Sequence, residues 1–233
     1  MNKQPIGIIG AMRVEIDALA AALENRTVEI HGGLTFIKGI LDGVPVVLSV
    51  CGVGKVFAAM AAQAMILKYD VRAIINTGVA GTLTDRLSIG DLAIAENVVQ
   101  HDMDTSPIGD PVGLISGLNL VYMPADGDLR ARITAVLAEM SIHHVVGTVA
   151  SGDQFVADSE KKTYIRDTFG AIACEMEGAA IGQVCTVNQI PFAVIRAISD
   201  GGNEEATMDY PTFVKIAAAK SADVVRAFLK AER

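Results

Sequence analysis

Short runs of consecutive apolar residues alternate along this chain with longer stretches in which apolar positions recur every three or four residues. Ile6–Ile9 is a continuous apolar run that enters Gly10, as a buried strand does, and Ile16, Leu19, Ala20 and Leu23 then recur at helical spacing. Leu34–Ile40 and Val44–Val50 read as two strands joined by the turn Leu41-Asp42-Gly43. An Ala- and Met-rich helix is predicted over Lys55–Tyr69, followed by a buried strand over Ala73–Thr77. Further strands are predicted at Leu92–Val99, Val145–Ser151, Ala171–Glu175 and Phe192–Ile198. Further helices are predicted at Leu129–Met140, Ser159–Thr168, Gly178–Asn188 and Thr212–Lys230. This alternation predicts a single α/β domain over residues 1–233, with a central mixed sheet flanked by helices. His101–Asp126, punctuated by Gly109, Pro111, Gly113, Gly117 and Pro124, is predicted to be irregular. A loop of that length in a compact domain points to function or to an oligomer contact.

Composition narrows the function classes. Apolar residues make up 51% of the 233, enough for a substantial core and too many for a disordered chain. A net charge of −8 argues against a nucleic-acid partner, which would require a basic face. Cys51, Cys174 and Cys185 sit in apolar stretches without a CxxC, the usage of a reducing compartment. Arg13, Glu15 and Asp17 interrupt the first apolar run and Lys55 interrupts the Val44–Leu67 stretch, so no membrane partner, secretion signal or membrane span is read and a cytoplasmic location is expected.

Candidate chemistry gathers at the carboxyl ends of the predicted strands, where open α/β sheets bind ligands. Two turns there fail as phosphate loops. Gly52-Val53-Gly54 has Phe57 where a dinucleotide fingerprint needs glycine, and Gly54-Lys55 is followed by Val56 where a P-loop needs Ser or Thr. His101-Asp102-Met103-Asp104 has metal-binding residue types, but a chain with four histidines offers little for a dedicated site, and a solvated polar loop is the simpler reading. Glu15, Glu177 and Asp200 each follow a predicted strand, with Arg196 close to the last of them. Singly, such carboxylates are helix caps or surface charges. Converging, they supply what glycosidic cleavage requires: an acid for the leaving group, a base for water, and negative charge beside an oxocarbenium-like sugar.

Six motifs then occur in order: GIIGAM with Glu15, SVCGVGKV, INTGVAG, SGDQFV, CEMEGAA and VIRAISDG. Together they closely resemble the 5′-methylthioadenosine/S-adenosylhomocysteine nucleosidases of the purine nucleoside phosphorylase/nucleosidase superfamily. The resemblance implies a three-layer αβα sandwich. It implies hydrolysis of the bond between adenine and a 5′-thio-substituted ribose by a homodimer without metal or organic cofactor. On the matching positions, Glu15 is expected to activate water and Asp200 to deliver a proton to adenine N7. Glu177 is expected to bind the ribose hydroxyls beside Met176. Arg196 lies near the water and Glu177, and Ser199 holds the Asp200 loop. Phe155 is expected to stack on adenine while the Val156 backbone reads its edge, and Gly81 closes a Gly78–Gly81 turn. Met12, Val53 and Tyr210 are expected to line the 5′ slot, completed by the partner's 101–126 loop. Asp200 must then be protonated at neutral pH, which demands a desolvated setting, while Glu15 must remain a base.

Two departures and three rivals accompany this resemblance. Val79 stands where many relatives carry a serine that holds the water, so water placement should rest on Glu15, Arg196 or backbone groups. Gly201–Met208, flanking the 5′ slot, also departs from the family. A phosphorylase would need an anion site, yet Arg13 is the only basic residue in the Gly10–Glu15 turn and Glu15 would repel phosphate. A futalosine-type hydrolase differs only in its 5′ pocket. A non-catalytic nucleoside binder would have no use for a paired acid and base.

Overall fold

The computed structural model describes residues 4–201 and 206–232, with the side chains of 206–212 outside the description. In chain order the elements are β1 (Ile6–Gly10), α1 (Arg13–Ala21), β2 (Glu24–His31), β3 (Leu34–Leu41), β4 (Val44–Val50), α2 (Lys55–Tyr69) and β5 (Ala73–Thr82). There follow β6 (Leu92–Gln100), a 3₁₀ turn (Ser106–Ile108), β7 (Met123–Pro124), α3 (Gly127–Glu139), β8 (His144–Ser151) and α4 (Ser159–Phe169). The last four are β9 (Ala171–Glu175), α5 (Gly178–Asn188), β10 (Phe192–Asp200) and α6 (Ala206–Ala231).

Every strand and helix expected from the pattern is present, and the differences have physical causes. β2 is an additional strand without an apolar signature, because ENRTVEIH lies at the sheet edge, pairs with β3 and exposes most of its side chains to solvent. Charged edge residues of this kind guard an edge against further pairing. The two-residue β7 lies inside the expected 101–126 loop and pairs Met123 with Val98. The final helix starts six residues before the expected Thr212.

β1 shows how the layers form. Ile6 and Ile8 point to a core shared with Ile16 and Leu19 of α1, Ile133 of α3 and Phe228 of α6. Ile9 points to the opposite core, with Ala58, Ala61, Ala62 and Met65 of α2 and Ala179 and Cys185 of α5. Alternate residues of a strand feed opposite faces, so one buried strand needs helices on both sides. The result is the three-layer αβα arrangement with a mixed sheet. Where α2 crosses β1, a Cβ on Gly7 would lie 2.7 Å from Met65 Sδ, so glycine sets that spacing.

The sheet is not simply open. β5 is the long strand: Ala73–Asn76 pairs with β1, Ile74–Gly81 with β10, and Gly81–Thr82 with β9. β10 also pairs antiparallel with β6, β6 parallel with β8, and β8 parallel with β9. Five strands, β5-β10-β6-β8-β9, therefore close into a ring. β1 ends beside Asn76, whereas β9 arrives antiparallel from the far end of β5, pairing Cys174 with Gly81. Two sets of strand ends thus meet around residues 78–81 of β5, which corrects the expectation of a single rim on an open sheet.

Candidate active site

The convergence at mid-β5 opens a cleft. Among its lining residues are Met12, Glu15, Val53, Gly81, Phe155, Met176, Glu177, Arg196, Ser199 and Asp200. Val156 borders an adjoining hollow that shares Gly81, Phe155, Met176 and Asp200. Eleven of the twelve expected residues therefore surround one continuous space. Tyr210 lies in the early turns of α6, and its side chain falls outside the described residues, as does most of the 201–208 segment.

Glu15 is the third residue of α1 and is almost fully buried. Its Oε2 accepts N–H bonds from Ala11 at 2.7 Å and Met12 at 2.9 Å, and its Oε1 accepts from Val79 at 3.1 Å. Burial nevertheless pushes its carboxyl above the usual range, outweighing Arg196 and these backbone donors. A carboxylate so balanced is basic and fixed in direction, which suits a proton acceptor.

Glu177 precedes α5 as its N-cap residue, but its carboxylate does not cap the helix. Oε1 accepts from the Gly54 N–H at 2.9 Å, and Oε2 lies 3.5 Å from Arg196 Nη2. Burial, with further contributions from the Glu175 and Glu15 charges, pushes Glu177 up to about 7 against the opposing pull of Arg196. Arg196 is wholly buried, held by Glu175 and by Asn76 Oδ1, and its Nη1 donates to the Val79 carbonyl at 3.3 Å.

Asp200 closes the opposite side. It is 3% exposed, and the Ser199 hydroxyl donates to its Oδ1 at 2.9 Å. The Lys162 ammonium donates to the Gly201 carbonyl at 2.8 Å and ties down the chain just beyond it. Phe155 is half-exposed at the mouth beside Val53, so the apolar wall is the open side and the carboxylates form the floor.

Gly78–Gly81 is not a turn, contrary to expectation; it lies inside β5. A Cβ on Gly78 would fall 2.5 Å from Glu15 Oε1 and 2.7 Å from Arg196 Nη1. A Cβ on Gly81 would fall 2.6 Å from Asp200 Oδ2. The two glycines are therefore the places where polar groups press directly on strand backbone. Gly81 thus meets Asp200 by close approach inside a strand and not by closing a turn.

The sequence pattern ends two strands at Ser151 and Glu175 and gives no role to either of them or to Asn76. The signal for Glu175 was a carboxylate ending an otherwise apolar strand, AIACE. Arg13, weighed as a possible anion ligand, is exposed and lines a separate surface hollow with Asp17 and Arg26. Asp102 is engaged by Lys55 Nζ at 2.7 Å and by the Asp153 N–H at 2.9 Å.

The model of the phosphorylase superfamily matches residues 5–230. The chain is 38% identical over 226 residues to a 5′-methylthioadenosine/S-adenosylhomocysteine nucleosidase of Shewanella sp. strain W3-18-1, spanning 97% of this chain and 98% of that one. Its structure superposes with a TM-score of 0.94 on the Neisseria meningitidis 5′-methylthioadenosine/S-adenosylhomocysteine nucleosidase solved with methylthio-immucillin-A, at 35% identity and covering 98% of this chain and all of that one. Futalosine hydrolase of Helicobacter pylori strain 26695 is equally similar, with a TM-score of 0.94, 35% identity and 98% of both chains covered.

Proposed function

The chain belongs to the 5′-methylthioadenosine/S-adenosylhomocysteine nucleosidases of the phosphorylase superfamily, and from that premise we propose that it hydrolyses the N-glycosidic bond of 5′-methylthioadenosine and S-adenosylhomocysteine. 5′-Deoxyadenosine, with the same reacting centre, falls within the same reading. The observation that carries it is the trio Glu15, Glu177 and Asp200, buried around one cleft and each held by different partners.

In this scheme Phe155 stacks on adenine, the Val156 backbone reads its edge, and Met176 packs on the ribose. Glu177 accepts from the sugar hydroxyls. Asp200, in its neutral form, donates its proton to N7 as the N9–C1′ electron pair passes into adenine. Water attacks C1′ and gives its proton to Glu15, releasing adenine and the 5′-thio-substituted ribose. Met12 and Val53 face the 5′ substituent. The scheme uses no metal or organic cofactor.

Phosphate is disfavoured as nucleophile by charge. Arg196 is already taken by Glu175, Glu177 and Asn76, and Glu15 occupies the place a phosphorylase would give to cations.

The partner copy belongs to the same reading. Val56, Phe57 and Met60 of α2 are exposed apolar side chains beside Val53, and Ile108 of the 101–126 loop is 82% exposed. A second copy covering them would bring its own 101–126 loop to the 5′ end of the cleft, and sedimentation should give twice the chain mass. Three unpaired thiols suit a reducing compartment and support the reading of a cytoplasmic enzyme. Among the described residues no helix is long and apolar enough to cross a membrane.

The likeness to a futalosine hydrolase supports a second reading that differs only at the 5′ end. One assay tests both: methylthioadenosine, S-adenosylhomocysteine and futalosine are each incubated with the protein, with and without millimolar phosphate. Free adenine and 5-methylthioribose, unaffected by phosphate, are expected. A ribose 1-phosphate product overturns hydrolysis, and preferential cleavage of futalosine overturns the substrate assignment.

A further inference from the structure

Glu175 borders the cleft, yet its carboxylate is fully engaged by protein groups. Oε1 accepts from the Ser151 hydroxyl and from the Gly178 N–H at 3.0 Å. Oε2 accepts from the Glu177 N–H at 3.0 Å and the Gly178 N–H at 2.8 Å, and forms the ion pair with Arg196 Nη2. Ser151 Oγ in turn accepts from the Ala179 N–H at 2.7 Å. The first donors of α5 are thus satisfied from β8 and β9.

An N-cap side chain ordinarily bonds back to the N–H groups of its own helix. Glu177 occupies that position and does not do so. It also stands beside a buried guanidinium that would otherwise draw it into a close ion pair, yet it remains 3.5 Å away. The helix start is met by Glu175 two residues earlier, and so is the closer carboxylate contact with the buried cation, leaving Glu177 the longer one.

We propose that Glu175 is a positioning residue for Glu177: by capping α5 and holding Arg196, it leaves the Glu177 carboxylate free to face the sugar hydroxyls of the substrate. This rests on the reading of Glu177 as the sugar-binding group. Glu175 has no acceptor capacity to spare for substrate and acts only through its neighbours.

The charges facing Glu177 are Glu15 from α1, Glu175 from β9 and Arg196 from β10, with the Gly54 N–H from the turn before α2. The Cys51 thiol, pushed up to about 12 chiefly by burial, adds no charge near neutral pH. Glu175 repels charge on Glu177 and also holds much of the Arg196 attraction, so its loss acts in one direction. Without it, Glu177 ionises more easily and is drawn toward the guanidinium and the helix start.

The test compares wild type, Glu175→Gln and Glu175→Asp on methylthioadenosine and on its 3′-deoxy analogue, across pH 5–9. Glu175→Gln is expected to raise KM about tenfold and to move the acid limb of kcat/KM down by about one pH unit, within the range that neighbouring charges impose. It should also shrink the preference for the hydroxylated substrate at least fivefold, a ratio that general loss of folded enzyme cannot move. Glu175→Asp keeps the charge but withdraws it by one methylene, so the preference should fall while the limb stays in place. If circular dichroism finds Glu175→Gln unfolded, the preference ratio of Glu175→Asp decides. Unchanged ratios overturn the positioning role, as does an unmoved acid limb in a folded Glu175→Gln. Absence of adenine release by the wild type instead overturns the function proposed above, and the two failures are distinct.

Discussion

The backbone N–H of Val79 donates to Glu15 Oε1 at 3.1 Å, so the residue whose side chain cannot hold water holds the carboxylate that would activate it. The Val79 carbonyl also accepts from Arg196 Nη1 at 3.3 Å, linking the Glu15 carboxylate and the guanidinium through the backbone of one residue. These contacts come from the strand backbone and are independent of the side chain. Val79→Ser should therefore change kcat by less than tenfold, roughly 1.4 kcal/mol. Steady-state kinetics on methylthioadenosine check this, and a much larger gain would identify water placement as the weak point of the site.

Glu15→Gln keeps the shape of the side chain and removes its basicity. The expected loss in kcat is roughly 10²–10⁴-fold with substrate binding retained. Single-turnover kinetics beside equilibrium binding of methylthioadenosine separate the two effects, and a near-normal kcat removes Glu15 from the mechanism.

Gly78→Ala places a methyl group 2.5 Å from Glu15 Oε1 and 2.7 Å from Arg196 Nη1, and both are buried. One or the other must shift, and a displacement on the order of 1 Å at a reacting group can cost about 10²-fold in rate. A fall in kcat of that order with a smaller change in KM is expected. Unaltered kinetics would show that neither group needs its present position.

The raised Glu177 has a consequence for stability. Its carboxyl is ordinary in the unfolded chain, near 4.5, and stands at about 7 when folded. The folded state therefore binds the proton more tightly, and this contribution is fully present below pH 4.5 and is lost as pH rises through 7. Glu177→Gln lacks that loss, so its melting temperature relative to wild type should increase between pH 5 and pH 8. A gain of 1 kcal/mol would read as roughly 2–4 °C in a chain of this size. Parallel melting curves across that window would count against the raised value.

Asp200 should separate adenine from 6-oxopurines. A neutral carboxyl can donate to N7 and accept from the 6-amino group, whereas an oxopurine presents two acceptors. In a desolvated pocket one such mismatch costs on the order of 1–3 kcal/mol or more. Methylthioadenosine should be cleaved far faster than methylthioinosine, and Asp200→Asn should abolish most of the adenine release. Equal rates on the two nucleosides would remove Asp200 from base recognition.

Local sequence alone placed nearly every strand and helix, because runs such as Ile6–Ile9 and the spacing of Ile16, Leu19 and Ala20 encode burial directly. It also placed Glu15, Glu177, Arg196 and Asp200 near strand ends, where backbone direction presents side chains to a ligand. β2 was lost because an exposed edge strand carries no apolar signature.

Tertiary structure alone decided the rest. The ring through β5, β10, β6, β8 and β9 depends on pairings between residues about a hundred positions apart, which no local period records. From that closure comes the meeting of β1 and β9 ends at Gly78–Gly81, and with it the difference between a turn and a strand interior pressed by carboxylates. Glu175 and Glu177, two residues apart in one motif, differ for the same reason: Ser151 and Arg196 reach the first from distant strands, while the second is left facing the cleft.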